Sequence, residues 1–418
     1  MPTPKSNQVE LLAPAGNFEK LEIAIHYGAD AVYLGGKDFS LRNFSGNFRL
    51  EEIKQAVVYA HDHGVKVYVT VNIYARNDEQ PHIARYLEKL GALGPNGVIV
   101  ADPGVFLAAR ELMPHIPLHL STQANSTNYK TVEFWERLGI RRINMARELT
   151  LAEIKTIGER TRIEIEAFVH GAMCIAYSGR CLLSGFMANR HSNRGMCAHP
   201  CRWKYALMEE TRAGQYMPIA EDDRGTYIFN SKDLCMIEHI PAMIDAGVSA
   251  LKIEGRMKGI NYLASVVKVY REAIDRYFQD PMGYAVRPEW LAELARIDRR
   301  GYCSGFYFDD PQQTVPDFDF NMGPETHLFI GKVLAAQDDG HTLMEVRNQC
   351  RVGDPVEILS PGLGIRKTRI GNMRDEEGNP IQTAQPNTRI YAKFGLKTNP
   401  NDLIRKLILV EPLAPREG

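Results

Sequence analysis

The 418-residue sequence predicts an α/β protein: a (β/α)8 TIM-type barrel with a cysteine-containing insertion after strand seven, followed by a small C-terminal all-β domain. Three observations carry that reading. Over the first 280 residues, short β-branched runs alternate with amphipathic helices until eight strands are counted. About 80 residues interrupt the alternation once, between the seventh and eighth runs. After Asp280 the texture changes, first to a Pro/Gly-punctuated stretch and then to short strands separated by turn clusters.

The strands are expected at residues 9–14, 31–34, 65–71, 97–101, 118–121, 142–145, 162–168 and 250–253. Between them, residues 18–27, 50–63, 82–90, 105–112, 129–138 and 151–159 place apolar side chains at i, i+3, i+4 and i+7, one face of a helix. Asn17 and Thr150 stand where N-caps belong, and Gly28, Gly64 and Gly139 stand where helices stop. Strands that alternate with helices pair in parallel through right-handed crossovers. Eight units in about 280 residues is the size of a closed barrel. An open doubly wound sheet has fewer strands and a Gly-rich turn, and Leu12-Ala13-Pro14-Ala15-Gly16 is no GxGxxG. Residues 1–280 therefore form the barrel, with the insertion at about 170–248. Residues 281–324 form a linker around a helix at 288–297, and residues 325–418 a small β-barrel. Its strands are expected at 328–334, 342–346, 355–358, 368–373 and 388–393, with hairpin turns at Asp338-Asp339-Gly340 and Glu376-Glu377-Gly378-Asn379.

Composition bounds the function. Fifty Lys+Arg against 51 Asp+Glu give a net charge of −1, which excludes a globally basic nucleic-acid binder but not a local basic patch. The 44% hydrophobic and 24% charged fractions are those of a globular chain, neither disordered nor coiled-coil. No apolar run approaches the roughly 18–20 residues that span a bilayer, and the start, MPTPKSNQVE, has no apolar signal core. A cytoplasmic protein without a membrane is expected.

Seven cysteines are present, and Cys174, Cys181, Cys197 and Cys201 fall within 28 residues as C-x6-C-x15-C-x3-C. In a reducing compartment clustered thiols bind metal or react more often than they pair. Four thiolates suit zinc or an iron–sulfur cluster. The spacing is neither the CxxC…CxxC of a zinc ribbon nor CxxxCxxC. From Ala167 through Met208 there is no Asp or Glu, while Arg180, Arg190, Arg194, Arg202 and Lys204 add positive charge and His170, His191 and His199 add donors. Basic, Gly-rich surroundings favour a net-negative cluster, with zinc and plain thiols as alternatives. Cys303 and Cys350 read as core or incidental residues. Loops after barrel strands line the C-terminal face, so topology puts the cysteines at the mouth.

Glu166-Ala-Phe-Val-His-Gly-Ala-Met-Cys174, with Gly179-Arg-Cys181-Leu-Leu-Ser184, resembles the signature of the peptidase U32 (collagenase-like) family. Glu10-Leu-Leu-Ala-Pro-Ala-Gly16, Ser121-Thr-Gln-Ala-Asn125, Ala146-Arg-Glu148, Asn230-Ser-Lys-Asp-Leu234 and Ser249-Ala-Leu-Lys-Ile-Glu-Gly-Arg256 match as well, so the resemblance runs over most of the chain. It implies a barrel whose cysteines hold a [4Fe–4S] cluster. It also implies the branch of prephenate-dependent, oxygen-independent hydroxylases, and chain length favours those that act on tRNA wobble uridine. The implied ligands are Cys174, Cys181, Cys197 and Cys201, with Cys235 the alternative fourth.

Prephenate carries two carboxylates, for which Arg147, Lys252 and Arg256 are the best-placed cations, each at or just past a strand end. Arg180, Arg190, Arg194, Arg202 and Lys204 are the expected RNA contacts. Glu166, His170 and Glu254 are the candidate catalytic side chains. The expected partners are tRNA, prephenate and an iron–sulfur or electron-transfer protein. Other readings compete: a collagenase-like peptidase, a hydroxylase of another RNA, and an RNA-binding protein without catalysis. The sequence has no HExxH helix and no GxSxG elbow, and His61-Asp62-His63 reads as solvated helix end. The polar residues gathered at strand ends argue for a small-molecule site.

Overall fold

The computed structural model describes residues 9–40, 46–173, 181–188, 190, 197–198, 207–208, 216–217, 220–222, 225–227, 232–297, 301–308, 327–337, 339–362 and 364–408. Eight parallel strands close into a ring. They are β1 (Glu10–Pro14), β2 (Ala31–Gly35), β3 (Lys66–Val71), β4 (Gly97–Val100), β5 (Leu118–Leu120), β6 (Arg142–Asn144), β7 (Glu164–Ala172) and, after the short β8 (Asp233–Cys235), β9 (Ala250–Ile253). Consecutive strands pair in parallel, and β9 pairs with both β7 and β1, which closes the barrel.

Local chemistry sets the helix ends as the sequence predicts. Asn17 Oδ1 accepts from Lys20 N at 2.9 Å to start α1 (Phe18–His26). Thr150 and Glu153 form a reciprocal capping box on α6 (Leu151–Gly158). Gly28 and Gly139 end helices at φ +101° and +95°, where a side chain would be strained.

The structure extends and divides the predicted insertion. β7 runs four residues past Phe168, to Ala172. Its end pairs antiparallel with β8, Asp233 opposite Ala172 and Cys235 opposite His170, and β8 in turn pairs in parallel with β10 (Tyr302–Cys303). The returning chain then forms α8 (Ile240–Asp245) on the outside of the barrel before β9. A three-residue strand is too short to show a period, so β8 is invisible to pattern reading. Within the insertion, Leu207–Met208 pairs with Tyr216–Met217, and Ala220–Asp222 with Gly225–Tyr227.

The C-terminal domain is antiparallel throughout. Its strands are β11 (His327–Ala336), β12 (Thr342–Val346), β13 (Cys350–Arg351), β14 (Pro355–Leu359), β15 (Arg366–Arg369), β16 (Met373–Arg374), β17 (Pro380–Ile381), β18 (Thr383–Ala384), β19 (Arg389–Ala392) and β20 (Leu403–Leu407). The main sheet runs β15-β14-β20-β11-β12-β19-β16-β17 over a core that includes Ile330, Val333, Met344, Val356, Ile390 and Ile404. Where the sequence predicts a small barrel, the ladder among the described residues is open at β15 and β17. β20 lies at its centre, although Arg405 and Lys406 hide it from a hydrophobicity pattern.

Arg405 explains how a charged strand can be central. It is fully buried, donating to both carboxylate oxygens of Glu293 at 2.7 and 3.1 Å, with Glu357 at 3.5 Å. Glu293 belongs to α10 (Pro288–Ala295) and also accepts from Ser265 Oγ of α9 (Ile260–Gln279), the helix packed on β1. Tyr27 Oη donates to Leu359 O at 2.7 Å, and Lys268 Nζ to Ser360 O at 2.8 Å. The β-domain is thus bolted to the barrel through buried polar contacts. Burial raises the pKa of Glu293, but Arg405 outweighs it and holds the carboxyl below its usual range. Its contribution is therefore complete above the ordinary glutamate pKa and is lost as the pH falls through the lowered one. Arg405→Ala should cost about 3–5 kcal/mol in urea unfolding at pH 7, because it leaves buried carboxylates unpaired. A loss below about 1 kcal/mol would show that other contacts hold the domains together.

Candidate active site at the barrel mouth

The barrel lumen is polar below and around a small apolar cluster of Leu12, Ala31, Tyr33, Tyr68 and Ile99. Glu10 at the start of β1 receives Arg142 at 2.5 Å, Lys66 at 2.9 Å and the Tyr68 hydroxyl at 2.9 Å. Farther along, Lys252 Nζ donates to Glu166 Oε1 at 2.6 Å, both side chains almost wholly buried. Arg142 Nη1 lies 3.7 Å from Glu166 Oε2. Lys252 Nζ also sits 4.4 Å from the Tyr33 ring centroid. The sequence assigned Glu166 to catalysis and Lys252 to substrate carboxylates; the fold brings the two together as an ion pair on neighbouring strands. The Oδ1 of Asn144, which stands in register with Glu166, and Glu166 Oε2 are buried without a hydrogen-bond partner among the described residues. These are polar atoms that a small polar guest would satisfy.

Above this pair lie the other predicted cations. Arg256 is buried, donating to Ser40 Oγ at 3.0 and 3.1 Å, Thr70 Oγ1 at 3.1 Å and Asn47 Oδ1 at 2.8 Å. The loop after β2 supplies two of these acceptors, and it is pinned by a bridge between Gly36 and Phe48. A Cβ at Gly35 would collide with Ser40 Oγ and the Arg256 guanidinium, so this approach requires glycine. Arg147 stacks its guanidinium 4.0 Å from the Phe168 ring centroid and donates to Ala172 O at 3.2 Å, and its Nε has no hydrogen-bond partner among the described residues. Glu254 is half-buried, with the Tyr33 hydroxyl 3.5 Å from Oε2. Asn72, Ser121 and Gln123 form one hydrogen-bonded group nearby. Asp102, at another strand end, instead caps α4 (Pro103–Leu112).

His170 sits in a cage of tyrosines, with the rings of Tyr262, Tyr270 and Tyr302 at 5.8, 5.5 and 5.2 Å. Burial pushes its pKa down to about 3, so the imidazole is neutral at physiological pH. It can accept a proton only at great cost. His61 and His63 are exposed, His61 Nε2 lying 2.8 Å from Asn96 Oδ1, as the surface reading expects.

Cys174, Cys201, Arg180, Arg194, Arg202 and Lys204 lie outside the described residues, and so do His191 and His199. Cys181, Cys197 and Arg190 are described. Cys181 precedes α7 (Leu183–Ala188). The buried Ser184 ties this segment to Cys197: its Oγ accepts from Ala198 N at 2.8 Å and its carbonyl from Arg190 N at 3.2 Å. Cys235, on β8, is held against the end of β7, two residues before Cys174, with the Tyr270 hydroxyl 3.9 Å from its sulfur. Among the described residues no three metal-ligating side chains converge. Half-buried thiols on these two tethered segments are nevertheless the soft donor chemistry that an iron–sulfur cluster takes. Sequence reading missed Arg142, Ser40, Thr70 and Asn47. Only the three-dimensional approach of distant strands and a loop distinguishes them from ordinary polar residues.

Burial raises the Glu10 pKa, but Arg142 and Lys66 outweigh it and bring the carboxyl down to about 2. The stability this adds is complete above the ordinary glutamate value of about 4.3 and fades as the pH falls towards about 2. Glu10→Gln should lower stability at pH 7 by about 2–4 kcal/mol and flatten the acid limb of the unfolding profile. An unchanged acid limb, followed by circular dichroism, would assign the acid sensitivity elsewhere.

Comparison with known proteins places this arrangement in a lineage. Residues 16–317 match Peptidase family U32, and residues 325–405 match the Peptidase family U32 C-terminal domain. The chain is 42% identical over 399 residues to "tRNA hydroxylation protein P1" of Bacillus subtilis (strain 168), covering 95% of this chain and 94% of the relative. It is 35% identical over 416 residues to "tRNA hydroxylation protein P" of Escherichia coli (strain K12), covering 90% and 91%. It is also 30% identical over 413 residues to "Collagenase" of Porphyromonas gingivalis (strain ATCC BAA-308 / W83), covering 95% and 97%. A match that takes in both the closed barrel and the β-domain leaves one conclusion: the chain belongs to peptidase family U32.

Proposed function

We propose that this protein is a cytoplasmic tRNA-modifying hydroxylase that converts wobble uridine to 5-hydroxyuridine without molecular oxygen, with prephenate as co-substrate. The observation that carries the reading is the full-length likeness to relatives named for tRNA hydroxylation. The geometry supports it. The mouth holds two ordered guanidiniums, Arg147 and Arg256, as a dicarboxylate requires. Lys252, paired with Glu166, acts as a fixed charge beneath them rather than as a direct contact.

Hydroxylation replaces one C–H of uridine by C–OH. With prephenate as donor, its C–OH carbon gives up that oxygen and takes the hydrogen, so atoms and electrons balance between the two substrates. Cys174, Cys181 and Cys197, with Cys201 or Cys235, would hold a [4Fe–4S] cluster, which when bound supplies one-electron chemistry at the mouth. An electron-transfer partner is then needed only to set the resting oxidation state. The chain's own residues orient the donor (Arg147, Arg256), keep a neutral imidazole beside the thiols (His170) and offer Glu254 as the half-buried carboxylate of the mouth. Arg180, Arg190, Arg194, Arg202 and Lys204 are the proposed phosphate contacts.

Nucleoside mass spectrometry of tRNA from cells lacking the protein should show loss of 5-hydroxyuridine and its derivatives. Normal levels, together with lost gelatin hydrolysis, would sink the hydroxylase and support the peptidase reading that the collagenase relative favours. Anaerobically purified protein should carry iron and sulfide with charge-transfer absorption, abolished by Cys181→Ala. Cys201→Ala should lose that absorption while Cys235→Ala keeps it, and the reverse result would hand the fourth position to Cys235. Arg147→Leu or Arg256→Leu should raise the KM for prephenate roughly ten- to hundredfold while tRNA affinity is unchanged.

A further inference from the structure

The barrel chemistry leaves the C-terminal domain without a task. A cleft of about 420 Å³ opens on this domain, lined by Gln337, Asp339, His341, Arg374, Gly378 and Tyr391. That volume falls in the range of about 300–1,000 Å³ typical of ligand sites. The turn between β11 and β12 supplies the first three residues, the β16–β17 hairpin supplies Arg374 and Gly378, and β19 supplies Tyr391, in register with both Arg374 and Leu343.

The cleft is built rather than incidental. His341 is only 3% exposed, and Asp339 fixes it twice: Oδ1 accepts from the His341 backbone N at 3.0 Å, and Oδ2 lies 2.6 Å from Nδ1. These hydrogen bonds hold the Asp339 carboxyl below its usual range. A carboxylate only accepts, so Nδ1 carries the proton it donates, and in the neutral imidazole Nε2 keeps a lone pair. That Nε2 is buried and has no hydrogen-bond partner among the described residues. A buried acceptor left unmatched is costly unless a guest donates to it. Arg374 is exposed and makes no ion pair or side-chain hydrogen bond among the described residues, and Tyr391 is half-buried beside it. The site therefore offers an aromatic face, a cation available for phosphate, and an acceptor with a carboxamide beside it.

We propose that this cleft takes one unstacked nucleotide of the RNA substrate. The base would lie on Tyr391, its edge would be read by His341 Nε2 and Gln337, and its phosphate would meet Arg374. Proteins recognise single-stranded RNA through this combination of stacking, edge hydrogen bonds and guanidinium contacts. The assignment rests on the tRNA reading and gives the β-domain the role of holding the RNA while the barrel acts on another nucleotide.

The test uses the full-length protein and a fluorescein-labelled seventeen-nucleotide anticodon stem–loop RNA. Tyr391→Ala should weaken binding roughly tenfold, as lost base stacking does, whereas Tyr391→Phe stays within about twofold of wild type. Arg374→Gln should weaken it several-fold and reduce the salt slope by about 1. Hydroxylation at saturating RNA should keep its kcat while KM rises. If wild-type protein binds and hydroxylates the RNA and all three variants match it, the cleft assignment fails and the hydroxylase reading stands. If wild-type protein neither binds RNA nor alters its nucleosides, both fall. Should Tyr391→Ala unfold the domain, photocrosslinking wild-type protein to a 4-thiouridine-substituted stem–loop decides. Adducts in the stretch 374–391 support the cleft, and adducts confined to the barrel overturn it.

Discussion

The Lys252–Glu166 ion pair, 2.6 Å long and almost wholly buried, joins β9 to β7 across the longest connection between consecutive barrel strands. From β1 to β7 each strand reaches the next through a single helix-bearing connection, and β9 closes the ring on β1. Between β7 and β9 the polypeptide leaves after Ala172 and returns to the ring only at Ala250. Closing so long a loop costs configurational entropy that grows only slowly with length, so the seam needs strong but not exceptional contacts. The pair supplies them with Arg142 and Glu10 behind it, and burial makes the arrangement unforgiving, because removing either partner leaves a charge with no solvent. A register shift between Lys252 and Ile253 then re-aims the strand ends, bringing Glu254 and Arg256 to the mouth.

The same logic holds the two domains together. Arg405, Glu293 and Glu357 are polar residues buried where two hydrophobic cores meet, and they fix one docking geometry in a way that apolar contact alone would not. Through these contacts α9 and α10 fasten the β-domain to the barrel.

The site sorts its candidate catalytic groups by environment. His170 is dehydrated among tyrosines and stays neutral, Glu166 is spent on Lys252, and Glu254 keeps partial access at the rim. Thiols gather on the edge where β7, β8 and β10 extend the barrel wall. That edge strand pairing is what sets Cys235 opposite His170 at the end of β7.

The strand and helix alternation, the caps at Asn17 and Thr150, the glycine stops and the cysteine-bearing interruption were all legible in the sequence, because each depends on neighbours within a few residues. Two central features were not. β20 is masked by Arg405 and Lys406, whose burial makes sense only once Glu293 from a distant helix is beside them. Lys252 and Glu166 looked like two free functional groups, since no local pattern reports that their strands become neighbours when a ring closes across the long insertion. The sequence by itself determined which segments form strands and helices and which residue types gather at their ends. Tertiary structure alone decided which of those charges neutralise one another and which stay available for chemistry, because pairing depends on through-space distance and burial, and neither is a property of any short stretch of chain.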